Sequence, residues 1–395
     1  MIYPDNVTLI VKPTHQCNLD CYYCYDKKNR VVKETMGMDI VEKTIDIFKE
    51  VDNIQWIWHG GEPLLMGVDY FYEANDLVKS YKNDVIFDIQ SNGTLIDNEI
   101  VDMFNKYKMR PGVSFDGIRN ELSRKSTGKL MHVYKLLKNK GLGIGALMVI
   151  APDNIENIID EYEYFKRLGI SPKMNPMFKA IGNEDSKNIA SNKMIKYITE
   201  FFDYWILDTD NPTNNSLCEE YINRVLNGNR TVCNFSDCTG RWFSVHPNGD
   251  IYPCGRDWDE DICFCNIKDI DSLEEIYTSP VYIKYREDTK ELLSKCSKCK
   301  FYYACHGGCY GNLYSNNSKE LSKKDSEYCR STKSILSHIY NRICDIDIMK
   351  VTKKTYNKHF LNLLVDLGYR DLEQVMEFDK YKESIFNGDD FELNL

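Results

Sequence analysis

An α/β fold built on a parallel sheet is what this 395-residue sequence predicts. Three features carry that expectation. Short runs rich in β-branched residues alternate with amphipathic stretches through roughly the first 180 residues. The alternation repeats often enough for six strands, and strands separated by helices pair in parallel through right-handed crossovers. Near residue 231 the texture changes, with cysteines, aromatics and glycines becoming dense, so a second domain of different character follows.

Taken in order, the strands are read at 7–13 (VTLIVKP), 54–60 (IQWIWHG), 84–91 (DVIFDIQS), 111–116 (PGVSFD), 144–150 (IGALMVI) and 171–178 (SPKMNPMF). Helical patterns lie between them at about 39–50, 69–82, 97–108, 128–140 and 154–168. In the last of these Ile155, Ile158, Ile159, Tyr162 and Phe165 share one face, and Gly169 is a natural stop. Residues 182–230 read as a polar linker with one helix near 188–207 and a loop at DNPTNNS. Helical periodicity then fades until about 330, where a helix runs to 344, followed by a charged tail containing KHFLNLLVDLGY. The division expected from these features is 1–182, 183–230, 231–345 and 346–395, the last without an assigned role.

Composition narrows the function. A net charge of −10 argues against non-specific affinity for nucleic acid or an anionic membrane. The start, MIYPDNVTLIVKP, lacks the basic and apolar regions of a secretory signal, and no apolar run approaches the length of a membrane span. A cytoplasmic protein is expected, with neither nucleic acid nor membrane as partner. Fifteen cysteines are many for a reducing compartment, where disulfides do not persist, so metal ligation is the better account of them.

Three of those cysteines crowd into THQCNLDCYYCYD, directly after the first strand, where a parallel sheet binds its ligands. Cys17, Cys21 and Cys24 follow the pattern C-x3-C-x2-C, and the next cysteine is Cys218. A [4Fe–4S] cluster is normally held by four thiolates, so three leave one iron open to a small molecule. A zinc site completed by His15, or buried thiols without a ligand, satisfies the same spacing.

With aromatic Tyr23 just before its last cysteine, the motif resembles that of the radical S-adenosylmethionine enzymes. In that family the open iron chelates the amino and carboxylate groups of S-adenosylmethionine, and an electron from the cluster cleaves the cofactor to a 5′-deoxyadenosyl radical that abstracts a substrate hydrogen. A second family mark stands at the end of predicted strand two as HGGEP. By that resemblance Gly60 and Gly61 let backbone approach the cofactor, and Glu62 pairs with its ammonium group. Asn92, in QSNGTL, is the candidate ribose contact; Ser114, in VSFDG, is a candidate for the cofactor carboxylate, and so is Arg124, at a slightly shortened spacing. The fold implied is a partial (β/α)6 barrel.

A second cysteine field reads Cys233-x4-Cys238-x15-Cys254, then Cys296-x2-Cys299-x5-Cys305-x3-Cys309-x19-Cys329. Zinc competes for such spacings, since CSKC followed by CHGGC looks ribbon-like. Behind a radical S-adenosylmethionine domain, the order resembles the SPASM extension with two auxiliary [4Fe–4S] clusters, for three in all. The resemblance implies Cys233, Cys238, Cys254 and Cys309 for the nearer cluster and Cys296, Cys299, Cys305 and Cys329 for the farther one. It also implies electron transfer by these saturated clusters and an electron donor such as flavodoxin or ferredoxin. Cys218, Cys263, Cys265 and Cys344 are left over; a hydrogen-donor role is open for Cys263 and Cys265, and plain burial is expected of Cys344.

Enzymes with this extension mainly modify peptides or proteins. The branch that oxidises sulfatases to formylglycine places an aspartate directly after the third cysteine of the nearer cluster; here Gly255 stands there, with Asp257 and Asp259 displaced. The expectation is therefore a maturase that installs a thioether or other oxidative crosslink in a ribosomally made peptide. With the first strand expected from about residue 7, no leader-binding domain is expected before it. Formylglycine formation, radical chemistry on a small molecule and a non-catalytic metal scaffold are the alternatives.

Overall fold

The computed structural model describes residues 4–143, 145–177, 187–228, 238–256, 260–309, 314–315, 320–321, 327–346 and 356–367. In chain order the main elements are β1 (Asn6–Thr14), α1 (Met38–Phe48), β2 (Asn53–Gly60), α2 (Val68–Tyr81), β3 (Ile86–Ser91), α3 (Asn98–Tyr107), β4 (Arg110–Ser114), α4 (Asn120–Ser123), α5 (Thr127–Asn139) and β5 (Gly145–Ile150). There follow α6 (Ile158–Leu168), β6 (Ser171–Pro176), α7 (Ser191–Leu207), α8 (Ser216–Asn227), β7 (Trp242–Val245), β8 (Asp250–Tyr252), β9 (Cys265–Asn266), α9 (Leu273–Thr278) and α10 (Pro280–Cys296). Short α11 (Tyr302–Cys305), α12 (Glu327–Cys344) and α13 (Lys358–Asp366) close the series. Two compact units result. The first comprises Met1–Ile150, Asn175–Asn188 and Cys238–Lys290; the second comprises Ala151–Met174, Ile189–Asp237 and Glu291–Leu395.

In the first unit the strands run in the order β5-β4-β3-β2-β1-β7-β8-β9. The end of β6 continues the row beyond β5, where the Met177 N–H donates to Ile150 O at 2.7 Å. Pairing is parallel from β1 to β5, as the βα alternation requires. The linear order leaves the sheet open, as a partial barrel requires. Helix ends follow local chemistry: the Asp97 carboxylate accepts from the Ile100 N–H at 3.0 Å to start α3, and Gly169, with φ 66°, stops α6.

Two expectations need correction. The cysteine-rich region does not stand wholly apart from the sheet, because β7 pairs in parallel with β1 from Thr8↔Trp242 to Val11↔Val245, with β8 and β9 antiparallel beyond it. These strands have four, three and two residues, too few to show a period of two. Helical structure does not fade between 231 and 330, since α9 and the 17-residue α10 lie there. The apolar residues of α10 crowd its first turns, and charged residues interrupt any stripe in the rest. Helix α8, in the supposed linker, was hidden because Glu220 and Arg224 sit on its buried face and interrupt the apolar stripe.

The second unit is helical, with α7 and α12 packed together. Asp203 of α7 takes hydrogen bonds from Arg342 Nε at 2.8 Å and pairs with His338 Nε2 at 3.0 Å. Helix α13, from the tail of unassigned role, is pinned to the end of α7 through Asn357, whose N–H donates to Ile206 O and whose amide donates to Trp205 O at 2.9 Å.

Candidate active site

Strand register sorts the sheet into two faces. The pairings Ile10↔Ile57, Ile57↔Asp88 and Gln90↔Gly112 place Lys12, Gln55, His59, Asp88, Gln90 and Ser114 on one face. The other face carries Leu9, Val11, Ile54, Trp56, Trp58 and Ile89, all buried. Parallel strands covered on both sides normally read as continuous apolar runs. A row of polar side chains across four strands therefore marks a ligand-facing surface.

The cysteine loop lies at the carboxyl end of β1 and is held against the end of β2. Gly61 N–H donates to Thr14 O at 3.0 Å, and Glu62 N–H donates to Gln16 O at 2.8 Å. A Cβ at Gly61 would stand 2.1 Å from Gln16 O and 2.5 Å from His15 O; at Gly60, with φ 109°, it would stand 2.4 Å from Thr14 O. The glycines are thus required for the close approach of the cysteine loop itself. Asn92 anchors the same loop from the end of β3. Its amide donates to Asn18 Oδ1 at 2.8 Å and to Cys17 Sγ at 3.7 Å, while its oxygen accepts from Thr94.

Each of the three thiols meets a polar group. Cys17 also receives the Leu19 N–H at 3.4 Å, Cys24 receives a hydrogen bond from Arg30, and the Arg124 guanidinium acts on Cys21. Burial pushes the Cys21 thiol up to about 11, with Arg124 pulling it down and Cys24, Asp116 and Cys17 adding to the rise. The thiols sense one another and lie on one loop with cationic and amide donors. That donor set suits an anionic iron–sulfur cluster held by three thiolates.

Glu62 is fully buried, and its carboxylate accepts from Leu64 N–H at 3.1 Å, Ser91 Oγ at 2.8 Å and Asn92 N–H at 2.7 Å. Burial raises it to about 7 against the pull of those three neutral donors. None of the three is a cation, which leaves the site electrostatically matched to an incoming ammonium group. On β4, Ser114 accepts from Gln90 Nε2 at 2.9 Å, and no described group accepts its own hydrogen.

Asp116, which sequence reasoning missed, is the hub of the far side. It accepts from Tyr23 Oη, from Ser123 Oγ at 2.6 Å, from Arg124 Nε at 3.0 Å and from Val149 N–H at 3.1 Å. Arg124 lies over the Tyr23 ring, 5.2 Å from its centroid. Burial works against the Arg124 charge, yet Asp116, Tyr23 and Cys21 hold it more firmly protonated than usual. Among the described residues its hydrogen bond to protein is through Nε, which leaves the terminal nitrogens as donors for a ligand.

A second group, of which sequence reasoning named only His15, lies beside the loop. Lys12 is wholly buried, with Nζ 3.2 Å from Asp26 Oδ1, and His15 Nδ1 lies 2.9 Å from Asp26 Oδ2. Burial opposes ionisation of Asp26, but Lys12, His15 and Asn29 together hold its carboxyl well below the usual carboxylate range. His59, which pairs with Tyr25 Oη at 3.2 Å, is lowered to about 4 by burial and by Lys12. The rings of His15 and His246 stand 4.9 Å apart, and those of His246 and Tyr252 4.5 Å. The sequence did carry a signal for part of this set: Lys12, His59, Asp88 and Gln90 recur at every second position in strands expected to be buried on both faces.

Of the auxiliary thiols, the farther set comes together inside the second unit. Cys305 is pushed up to about 12, first by burial and then by Cys329, Cys296 and Cys299. Of the nearer set, Cys238 and Cys254 belong to the first unit, Cys309 belongs to the second, and Cys233 lies outside the described residues. Cys254 is close enough to Tyr25, next to Cys24, to raise its hydroxyl further beyond the effect of burial and of Asp26 and Cys24. Asp257 and Asp259 also lie outside the described residues. Cys263 and Cys265 lie at the start of β9, where Cys263 Sγ is 3.6 Å from Cys265 O. Cys218 is buried, and Cys344 is half-buried rather than fully covered. No described cysteine forms a disulfide. Among the described residues no three cysteine, histidine or acidic side chains converge on a point that suits a single metal ion, and no helix is long and apolar enough to cross a membrane.

Comparison with known proteins places this geometry. Residues 11–165 match the model of the radical SAM superfamily, and residues 233–300 match the SPASM iron–sulfur cluster-binding domain. The chain is 24% identical to a cysteine-type anaerobic sulfatase-maturating enzyme of Clostridium perfringens, over 86% of this chain and 98% of that one. It is 25% identical to a serine-type anaerobic sulfatase-maturating enzyme of Bacteroides thetaiotaomicron, over 78% and 84% of the two chains. Among solved structures it resembles native anSMEcpe with bound AdoMet and Cp18Cys peptide, with a TM-score of 0.72 and 23% identity over 86% of this chain and 98% of the other. It also resembles SuiB of Streptococcus suis bound to the precursor peptide SuiA, with a TM-score of 0.61 and 21% identity over 81% and 75%.

Proposed function

We propose that this chain, a radical S-adenosylmethionine enzyme with a C-terminal SPASM domain, oxidises a residue of a ribosomally made peptide and closes a thioether or other crosslink. Cys17, Cys21 and Cys24 would hold the catalytic [4Fe–4S] cluster, which with S-adenosylmethionine supplies a 5′-deoxyadenosyl radical able to take a substrate hydrogen. Glu62 would receive the cofactor ammonium. The Arg124 terminal nitrogens and the Ser114 hydroxyl would receive its carboxylate, and Asn92 would steady the loop beside the ribose. Gly60 and Gly61 bring that loop within reach of Glu62.

Two further clusters are part of the proposal, on Cys233, Cys238, Cys254 and Cys309 and on Cys296, Cys299, Cys305 and Cys329. Closing a thioether removes one hydrogen from carbon and one from sulfur, so after the first abstraction one electron and one proton must leave. The auxiliary clusters would accept the electron and return it to a flavodoxin- or ferredoxin-type partner. A reducing cytoplasm suits so many thiols.

One observation favours crosslinking over formylglycine formation. A Cβ at Gly255 would stand 3.0 Å from Ile10 Cδ1 and 3.1 Å from Ile10 Cγ2, so an aspartate there would need the Ile10 side chain to give by a few tenths of an ångström. Glycine itself supplies no base at that position, and the nearest carboxylates in sequence are displaced to Asp257 and Asp259. Similarity to sulfatase-maturating enzymes over most of the chain supports the second reading, oxidation of a sulfatase cysteine or serine. Anaerobic incubation with two kinds of substrate separates them: candidate precursor peptides from short reading frames near the gene, and a sulfatase-type peptide carrying cysteine or serine. Loss of two hydrogens from the first, with a new link located by fragmentation, is the expected result. Conversion of the second to an aldehyde, with the first unchanged, would replace crosslinking by formylglycine formation.

A further inference from the structure

In the second unit, a fully buried arginine stands on the turn that carries Cys305. Arg224, on α8, donates from Nη1 to Ala304 O at 2.9 Å and pairs through Nη2 with Glu220, one turn earlier on the same helix. Ala304 precedes Cys305, so the bond fixes the backbone of a thiolate-bearing turn. The same stretch of α8 grips the turn again at its end, where His306 Nε2 lies 3.1 Å from Gly228 O.

A buried ion pair is an expensive way to fill space. Taking two charges out of water costs several kcal/mol per ion, and an apolar pair of similar volume is often as stable or more so. Burial indeed works against the Arg224 charge, while Glu220, Tyr328 and Cys305 favour it. At Cys305 the guanidinium pulls the thiol down against burial and three neighbouring thiols. The Nη1 bond to Ala304 O sets the cation beside the turn that carries Cys305, while Glu220 pairs with Nη2. Four thiolates around an iron–sulfur core leave a net negative site, and one-electron reduction makes it more so. A fixed cation beside it favours the reduced form, and hydrogen bonding and net charge are the means by which proteins set such potentials.

We infer that Arg224 is a positioning residue for the farther auxiliary cluster, holding the Ala304–Cys305 turn and raising the cluster's reduction potential, with Glu220 as the counter-charge that limits the rise. This rests on the reading that Cys296, Cys299, Cys305 and Cys329 hold a [4Fe–4S] cluster. The test is a potentiometric titration of the reconstituted full-length protein, followed by electron paramagnetic resonance, with iron and sulfide measured on each sample. The signal of interest is the one lost in Cys305→Ala. Arg224→Gln should lower the ratio of reduced to oxidised cluster at a fixed potential about tenfold, equivalent to ~59 mV for a one-electron couple. Arg224→Lys should lower it less, and Glu220→Gln should raise it. A merely structural role would not move the two sites in opposite directions. A complete cluster in Arg224→Gln with an unchanged ratio would overturn the inference. If Arg224→Gln does not fold, an unchanged ratio in Glu220→Gln overturns it equally. Full iron retention in Cys305→Ala would sink the cluster reading itself, and the inference with it.

Discussion

The cysteine loop of the first unit and the four-cysteine site of the second are both thiol clusters set among cations, yet they are built differently. The first draws its three thiols from one loop and everything else from distant strands: Asn92 from β3, Glu62 from the end of β2, Arg124 and Ser114 from around β4. The second draws all four thiols from turns and helices of one unit, and braces one of them with a buried arginine whose own partner is a carboxylate. In the first, Glu62 has no cationic partner among the described residues and Arg124 is held through Nε alone among them; in the second, the buried charges already answer each other. A site that exchanges a ligand needs charges left unanswered, whereas one that passes electrons needs its surroundings fixed.

The largest expected effect tests that division directly. Replacing Cys21 by alanine should abolish 5′-deoxyadenosine formation under dithionite, measured by chromatography. Cys305→Ala should still form it while failing to complete the product. If both variants lose cofactor cleavage alike, the two sites are not functionally separable. Next in size is Glu62→Gln, which should weaken S-adenosylmethionine binding by about 100-fold, since breaking a buried charge pair costs several kcal/mol. Glu220→Gln, an equally drastic change at a buried carboxylate, should leave that affinity unchanged in equilibrium binding.

A smaller effect follows from the Glu62 carboxyl, which burial raises to about 7 from an ordinary value of 4.5. Between those values the folded protein holds a proton that the unfolded chain has released. Stability without ligand should therefore fall as pH rises from about 5 through 7, by at most ~3 kcal/mol. Urea titrations across that range should show the slope, and Glu62→Gln should flatten it. Saturating S-adenosylmethionine should oppose the fall, because its ammonium favours the ionised carboxylate. A slope unchanged in Glu62→Gln would mean that other groups govern it.

Much of the first site was legible because its chemistry sits at strand ends in short motifs. C-x3-C-x2-C and GGEP announce themselves by spacing; the strand before the first is a continuous buried run and the strand before the second has a clear two-residue period. Asp116 was not legible, although it adjoins Ser114 in the same VSFDG segment, because its four donors come from Tyr23, Ser123, Arg124 and Val149, and only the folded chain brings these together. Arg224 was hidden for the reason that α8 was hidden. A charged residue at a core position looks like a break in amphipathicity until its partner, four residues earlier, is found beneath the same surface. Strands β7 to β9 were too short for any periodicity, and their place beside β1 is fixed by pairing alone.

Both cysteine turns are backed by a glycine, and these give the last and mildest comparison. Gly61 needs no positive φ; it is small because Gln16 O and His15 O pass within 2.1 and 2.5 Å of where a Cβ would be. Gly228 has φ 63° and would place a Cβ 2.8 Å from Tyr303 O, two residues before Cys305. Gly61→Ala must push two backbone carbonyls away, at about 1–3 kcal/mol, and the displaced segment leads directly into Cys17. Its expected outcome is a modest drop in melting temperature with loss of the catalytic iron and of cofactor cleavage. Gly228→Ala meets a backbone penalty of roughly 1–2 kcal/mol for the left-handed conformation, with a milder steric clash. It should disturb the farther cluster's resonance signal and leave cofactor cleavage intact. Equal damage to both clusters by either alanine would mean that the turns communicate, and the division drawn between an exchanging site and a fixed one would have to be given up.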